Sequence, residues 1–167
     1  MATTLRGLKS KRVVTAQKAS QKVMLLVFSV GGRRMAAKAD EVGGVWPWTE
    51  AIPVPSVTPY MTAVLRRGED ILPVFDLAGR LNVQIKSQSA LCLIARRHDG
   101  PMAVCIDGEI PALQLVEEQA MRPMAWKDSD IRATCLIGTE ELPIYSLAEL
   151  GASASGSRRT GGGGGYA

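Results

Sequence analysis

Apolar residues in this chain come in short bursts separated by charged or glycine-containing turns. Val23 to Val30 is an apolar run that predicts a buried strand. Gly31-Gly32-Arg33 supplies a turn, and Arg34 to Ala39 predicts the returning strand of a hairpin. Residues 36–42, AAKADEV, fit one or two helical turns equally well, and both readings stand at this point. Gly43-Gly44 then breaks the pattern. Prolines 47, 53, 55 and 59 exclude regular helix over the next stretch and predict extended, irregular chain. MTAVL at 61–65 and ILPVFDL at 71–77 flank the charged turn Arg66-Arg67-Gly68-Glu69-Asp70. Gly68 can take the positive φ of a tight turn, so a second hairpin is predicted, with Pro73 at a strand edge or bulge. Leu77 to Leu81 reads as a short helical turn, and residues 82–89 as a polar connector.

The second half follows the same plan. Strands are predicted at Ala90 to Ala95 and Met102 to Ile106 about the charged turn 96–100. Another hairpin is predicted at Ala133 to Ile137 and Leu142 to Tyr145, followed by a short helix over 146–150. The likeness extends to the residues. LPVFDLA at 72–78 returns as LPIYSLA at 142–148, four positions identical and two conservatively changed. Upstream, Met35-Ala36 with Asp40-Glu41-Val42 is echoed by Met102-Ala103 with Asp107-Gly108-Glu109-Ile110. The offsets, 70 and 67 residues, are close enough to favour a duplicated unit. Short strands at about ten-residue spacing predict an all-β protein of small barrels or a sandwich, and the duplication predicts two similar lobes packed together.

Charge changes the picture at the ends only. The net charge is +4, yet residues 1–22 hold six Lys or Arg and no acid, and residues 151–167 hold two Arg and no acid. The 128 residues between carry 12 basic and 16 acidic side chains, a net of −4. A disordered basic arm is therefore expected over 1–21 and a disordered Gly/Ser-rich tail over 151–167, around an ordered body at 22–150. The longest apolar run is too short to span a bilayer, and no secretory signal is evident, so a cytoplasmic protein is expected.

The residues offer little chemistry. The single histidine, His98, sits in a turn sequence, which leaves no multi-histidine metal site. Cys92, Cys105 and Cys135 lie in apolar contexts without CxxC spacing and read as buried free thiols. The glycine run at 161–165 follows no strand and opens no helix, so it is no phosphate cradle. No cofactor, metal, small-molecule substrate or catalytic group is implied, and the chain reads as a non-enzymatic binding module. A small β-barrel binding nucleic acid through its basic arm is the alternative, but stacking platforms along a basic groove are wanting in an acidic body with 5% aromatics. Trp46 and Trp48, two apart, would share one face of an extended segment, either as core or as partner anchors.

Several of these stretches together resemble the CheW-like family, the adaptor domain of bacterial chemotaxis arrays. VFSVGG at 27–32 looks like its opening strand and turn. Arg67-Gly68 followed by LPVFDL looks like its Arg-Gly turn and Pro-Val-x-Asp-Leu strand, VCID at 104–107 like its second-lobe strand, and residues 142–150 like its closing strand and helix. The resemblance covers about residues 22–150. It implies two packed five-stranded SH3-like barrels, roughly 35–88 and 89–150 with the N-terminal strand shared. It also implies an adaptor that couples chemoreceptor tips to the CheW-like regulatory domain of a CheA-type histidine kinase. Carried onto this chain, the kinase contact would fall on Arg66, Arg67, Gly68, Glu69 and Asp76, and the receptor groove on Ile106, Asp107, Gly108 and Ile110. Leu65-Arg66 stand where the family usually has Asn-Leu, Thr62 where it has Gly, and Gly44 where an acid is common. These departures imply a divergent system, with an output in surface motility or elsewhere.

Overall fold

A computed structural model describes residues 19–86, 88–124 and 130–151. The expected arm and tail lie mostly outside these residues; Ala19 to Gln21 are exposed and lead into the first strand. Among the described residues, twelve strands form two sheets. They are β1 (Lys22–Val30), β2 (Arg33–Lys38), β3 (Val42–Pro47), β4 (Ile52–Pro53), β5 (Ala63–Arg67), β6 (Asp70–Phe75), β7 (Leu91–Ala95), β8 (Met102–Ile106), β9 (Ala112–Glu117), β10 (Met121–Pro123), β11 (Ile131–Ile137) and β12 (Glu140–Tyr145). One short helix, α1 (Leu77–Arg80), follows β6, and three 3-10 turns cover Ala39–Glu41, Glu118–Ala120 and Leu147–Glu149. The open choice at 36–42 resolves as strand to Lys38 and then one 3-10 turn.

The first sheet runs β10-β11-β12-β2-β1-β9 and the second β3-β7-β8-β6-β5-β4. Each has five strands of five residues or more, plus one short edge strand, β10 or β4. Both sheets must curl. Laid flat, six strands put the two edges about 24 Å apart. The edges β9 and β10 are joined by residues 118–120 alone, which reach about 14 Å at most. Residues 48–51 impose the same closure on β3 and β4.

The two orders map onto one another strand for strand when β1 and β2 are matched to β7 and β8, and β3–β6 to β9–β12. The duplication in the sequence is thus a duplication of topology. The strands are not shared out as the halves 35–88 and 89–150, however. The β1–β2 hairpin joins the strands of the second half, and the β7–β8 hairpin joins those of the first. The joints are two parallel pairings, Ile144 with Ala36 and Tyr145 with Ala37, and Val74 with Ala103 and Phe75 with Val104. The repeated LPVF and LPIY strands therefore each lie beside the Met-Ala strand of the opposite half.

This exchange explains the unbroken apolar runs. Alternate side chains of one strand enter different cores. In β1, Leu25 and Val27 fill the interior of the first barrel, while Leu26, Phe28 and Val30 enter a central core between the barrels. In β7, Cys92 and Ile94 fill the second barrel, while Leu93 and Ala95 face the centre. Phe75, Leu77, Met102, Val104, Ile106, Tyr145, Leu147 and Leu150 complete the central core, which both halves share. The described strands include one region missing from the sequence reading. Residues 107–126, for which the sequence reading assigned no element, contain β9 and β10.

Candidate functional site

The β5–β6 hairpin projects from the second barrel, and its tip is solvent-facing from Arg66 to Ile71. Gly68 sits at φ +60 in the turn, with its counterpart Gly138 at φ +65 in the β11–β12 turn. Arg66 folds back so that its Nε donates to the Gly68 carbonyl at 3.0 Å, which stiffens the tip. Arg67 turns the other way. Its guanidinium carbon lies 3.9 Å from the centre of the Trp46 ring, a cation–π stack. Trp46 is 45% exposed, and its indole lies over Gly44, where a β-carbon would come within 2.8 Å of Nε1. Beneath the stack runs a groove of about 280 Å³, lined by Trp46, Pro47, Thr49, Leu65, Arg66, Arg67, Gly68 and Cys92. Burial pushes the Cys92 thiol up to about 11, against the pull of the Arg67 charge. Trp48 has the other role weighed for the pair: it is half-buried and packs against the core of the second barrel.

On the outer face of this hairpin, register brings Ile52, Val64 and Pro73 into one row, with Arg66 beside Ile71 in the next. Ile52 is 57% exposed and Ile71 69%. Topological equivalence picks out the matching face of the first barrel, where charged residues replace both isoleucines. There Arg122, Thr134 and Pro143 form the row, with Leu136 beside Glu141. Exposed isoleucines at these two positions are therefore not a demand of the fold, although the first barrel does expose Leu136, 64% exposed, at the position equivalent to Arg66. Alternation in the strand predicts the exposure of Ile71: if Leu72 and Val74 point inward, Ile71 and Pro73 point out.

Asp76 stands at the far end of β6. Its carboxylate accepts the Gly79 N–H at 2.9 Å and caps α1, although the residue is exposed. It is well removed in sequence and role from the hairpin tip that carries Arg66 to Glu69.

Of the four expected groove residues, two are interior. Ile106 is fully buried in the central core. Asp107 is 6% exposed, and its carboxylate accepts the backbone N–H groups of Gly31 at 3.0 Å, Gly32 at 2.7 Å and Lys86 at 3.2 Å. It ties the β1–β2 turn to the connector after α1 and shows nothing to a partner. Gly108 is half-buried and Ile110 is 86% exposed. Ile110 adjoins apolar surface that sequence reasoning missed. Met24, 41% exposed, stands opposite Leu115, 54% exposed, and Leu113 on the same face is 61% exposed. His98 lies in an exposed turn. Cys92 and Cys135 are buried and Cys105 half-buried, all with free thiols.

A family model described as "CheW-like domain" matches residues 24–150. The chain belongs to the CheW-like family. Among solved structures, the scaffolding protein TtCheW from Thermoanaerobacter tengcongensis shares the fold at a TM-score of 0.66 and 14% identity, with 78% of this chain and 92% of that chain covered. No curated protein matches in sequence. Membership in this family supports a chemotaxis scaffold or adaptor. No described helix is long and apolar enough to cross a membrane.

Proposed function

We propose that this scaffold couples chemoreceptors to a CheA-type histidine kinase in the cytoplasm, in chemotaxis or a related motility pathway, and does so without catalysis. The kinase's CheW-like regulatory domain docks on the hairpin of the second barrel, around Arg66, Arg67, Gly68 and Glu69. The receptor tip lies along the surface beginning at Gly108 and Ile110 and continuing over Leu113, Leu115 and Met24.

The observation that carries this reading is the exchange of residue type at two equivalent outer positions, exposed isoleucine on the second barrel for a charged residue on the first. A fold that leaves Ile52 and Ile71 in solvent on one barrel, while making the matching positions Arg122 and Glu141 on the other, is retaining apolar surface for a partner. Apolar surface ringed by an arginine is also the composition of interface centres. The test uses the full chain and the purified kinase of the same cell. Ile71→Asp and Arg66→Glu should each weaken kinase binding by tenfold or more while leaving the unfolding transition in place. Ile110→Asp should spare the kinase and weaken a receptor cytoplasmic fragment instead. Kinase binding unaltered in both hairpin variants would remove the hairpin from the interface.

A further inference from the structure

The mouths of the two barrels differ in a way that points to a ligand chemistry. In the second barrel, Trp46 stands opposite Cys92, and Arg67 stands opposite Asp70 at the end of β5. The equivalent pairs in the first barrel are Gln114 opposite Leu25, and Ile137 opposite Glu140. At these equivalent positions the first barrel closes the same backbone with neither a cation nor an indole. The Arg67–Trp46 stack is an addition to one lobe, and folding does not explain it.

Among the described residues, the stacked arginine has no ion-pair partner. The ion pairs among the described residues are Arg34–Glu140, Arg80–Asp130, Arg97–Asp99 and Arg132–Glu149. Neither Arg66 nor Arg67 takes part in any of them. Asp70, directly across the hairpin from Arg67, is not within ion-pair distance. Among the described residues the groove is lined by both arginines and no acid, and the lining includes Leu65 and Cys92, both buried. A guanidinium held over an indole face still has N–H donors with which to meet an acceptor. A fork of donors beside apolar lining residues suits a carboxylate that arrives with an apolar neighbour.

We propose that this groove receives a Glu or Asp side chain from an extended protein segment of the docked partner, with an adjacent apolar side chain lying against Trp46, Pro47 and Leu65. The carboxylate bonds to the Arg67 guanidinium. This deepens the adaptor reading and rests on it for the identity of the partner.

The experiment titrates the full-length protein with two peptides, acetyl-Gly-Leu-Glu-Phe-Gly-amide and its twin with Gln in place of Glu. The readout is the indole N–H resonance of Trp46, assigned with Trp46→Phe. The Glu peptide should shift it and bind about tenfold or more tighter than the Gln twin, since a charge-assisted fork is lost in the twin. Arg67→Gln should abolish that preference. Thr49→Glu, which places a carboxylate on the groove's own rim, should weaken the Glu peptide alone. The amide resonance of Gln114, at the mouth of the other barrel, should not move. Equal binding of the two peptides, no shift of Trp46 at millimolar peptide, or indifference to Arg67→Gln would each overturn the proposal. A parallel kinase-binding measurement separates the two claims. Kinase bound by wild-type protein with no peptide discrimination sinks the groove and keeps the adaptor. Discrimination without kinase binding does the reverse.

Discussion

Asp107→Ala should cost this protein about 3–4 kcal/mol, far more than an ordinary surface change. The carboxylate is 6% exposed and accepts three backbone N–H groups from two separate segments. Hydrogen bonds to a charged group contribute about 1.5–3 kcal/mol each when one partner is removed. The full sum is not lost, because Gly32 is exposed and Gly31 half-exposed, and water can reach their amides in the variant. At about 2–4 °C per kcal/mol for a chain of this size, the expected drop in Tm is near 10 °C. Asp107→Asn keeps one acceptor oxygen but turns an amide toward a backbone N–H, so it should lose about half as much. Asp40 is the matched control. It is the counterpart of Asp107 in the other half by sequence echo, yet it is exposed, and Asp40→Ala should fall within about 0.5 kcal/mol of wild type. Urea unfolding followed by far-UV circular dichroism, with the m-value unchanged, gives both numbers. A cost below about 1 kcal/mol for Asp107→Ala, or an equal cost for Asp40→Ala, would refute the assignment of Asp107 as a tie between segments.

Three further outcomes are expected. Burial raises the Glu41 carboxyl above its usual range, the Leu147 N–H bond opposes this, and the Asp40 charge adds to it. The folded state then holds the proton more tightly than the unfolded chain, so this stability is present at low pH and fades as pH rises through the folded pKa. Glu41→Gln should therefore gain on wild type between about pH 4.5 and 7 in a series of urea midpoints, and a gain in the opposite direction would contradict the sign. Gly68→Ala and Gly138→Ala should each cost about 1 kcal/mol, because both sites hold positive φ and no atom lies within 4 Å of the added β-carbon. Recovery of part of that loss by Asn in the same scans identifies the cost as backbone strain. Chains cut between β6 and β7, at residues 86–90, should be unfolded singly and regain a β spectrum when mixed, since each barrel takes a hairpin from the other half. A cooperative melt from either piece alone would count against the exchange.

How far the sequence reveals this molecule depends on which force acts at each place. Turn chemistry and apolar runs are local, and they place most elements within a residue or two: β1, β7, β8 and β12 follow apolar runs, and α1 follows the Asp76 cap. The duplication is also visible, because LPVF and LPIY occupy equivalent parallel joints and keep their residues for that reason. What the chain does not display is pairing across halves. Ile144 beside Ala36 is a contact 108 positions apart, and no local pattern distinguishes it from pairing within a half. Hence two lobes are legible while their true membership is not.

The same limit governs the candidate site. Arg67 stands out by its turn, and its place at the tip is legible. Its use of Trp46 is not, because the stack spans β3 and β5, which meet only when the sheet curls. Ile106 and Asp107 were drawn toward the surface by the family likeness alone. Yet the alternation that sends Val104 inward sends Ile106 inward too, and an aspartate at the end of such a strand, facing two glycine amides, serves as an internal acceptor. Exposed apolar residues misled in the opposite direction. Leu113, Leu115 and Ile71 have the composition of core, and only the topology shows that no other element reaches them in the described chain. In a scaffold the functional surface is made of residues that look structural, so it becomes visible only where two equivalent lobes can be compared position by position. Ile52 against Arg122, Ile71 against Glu141 and Trp46 against Gln114 are the comparisons on which the proposed partner surface rests.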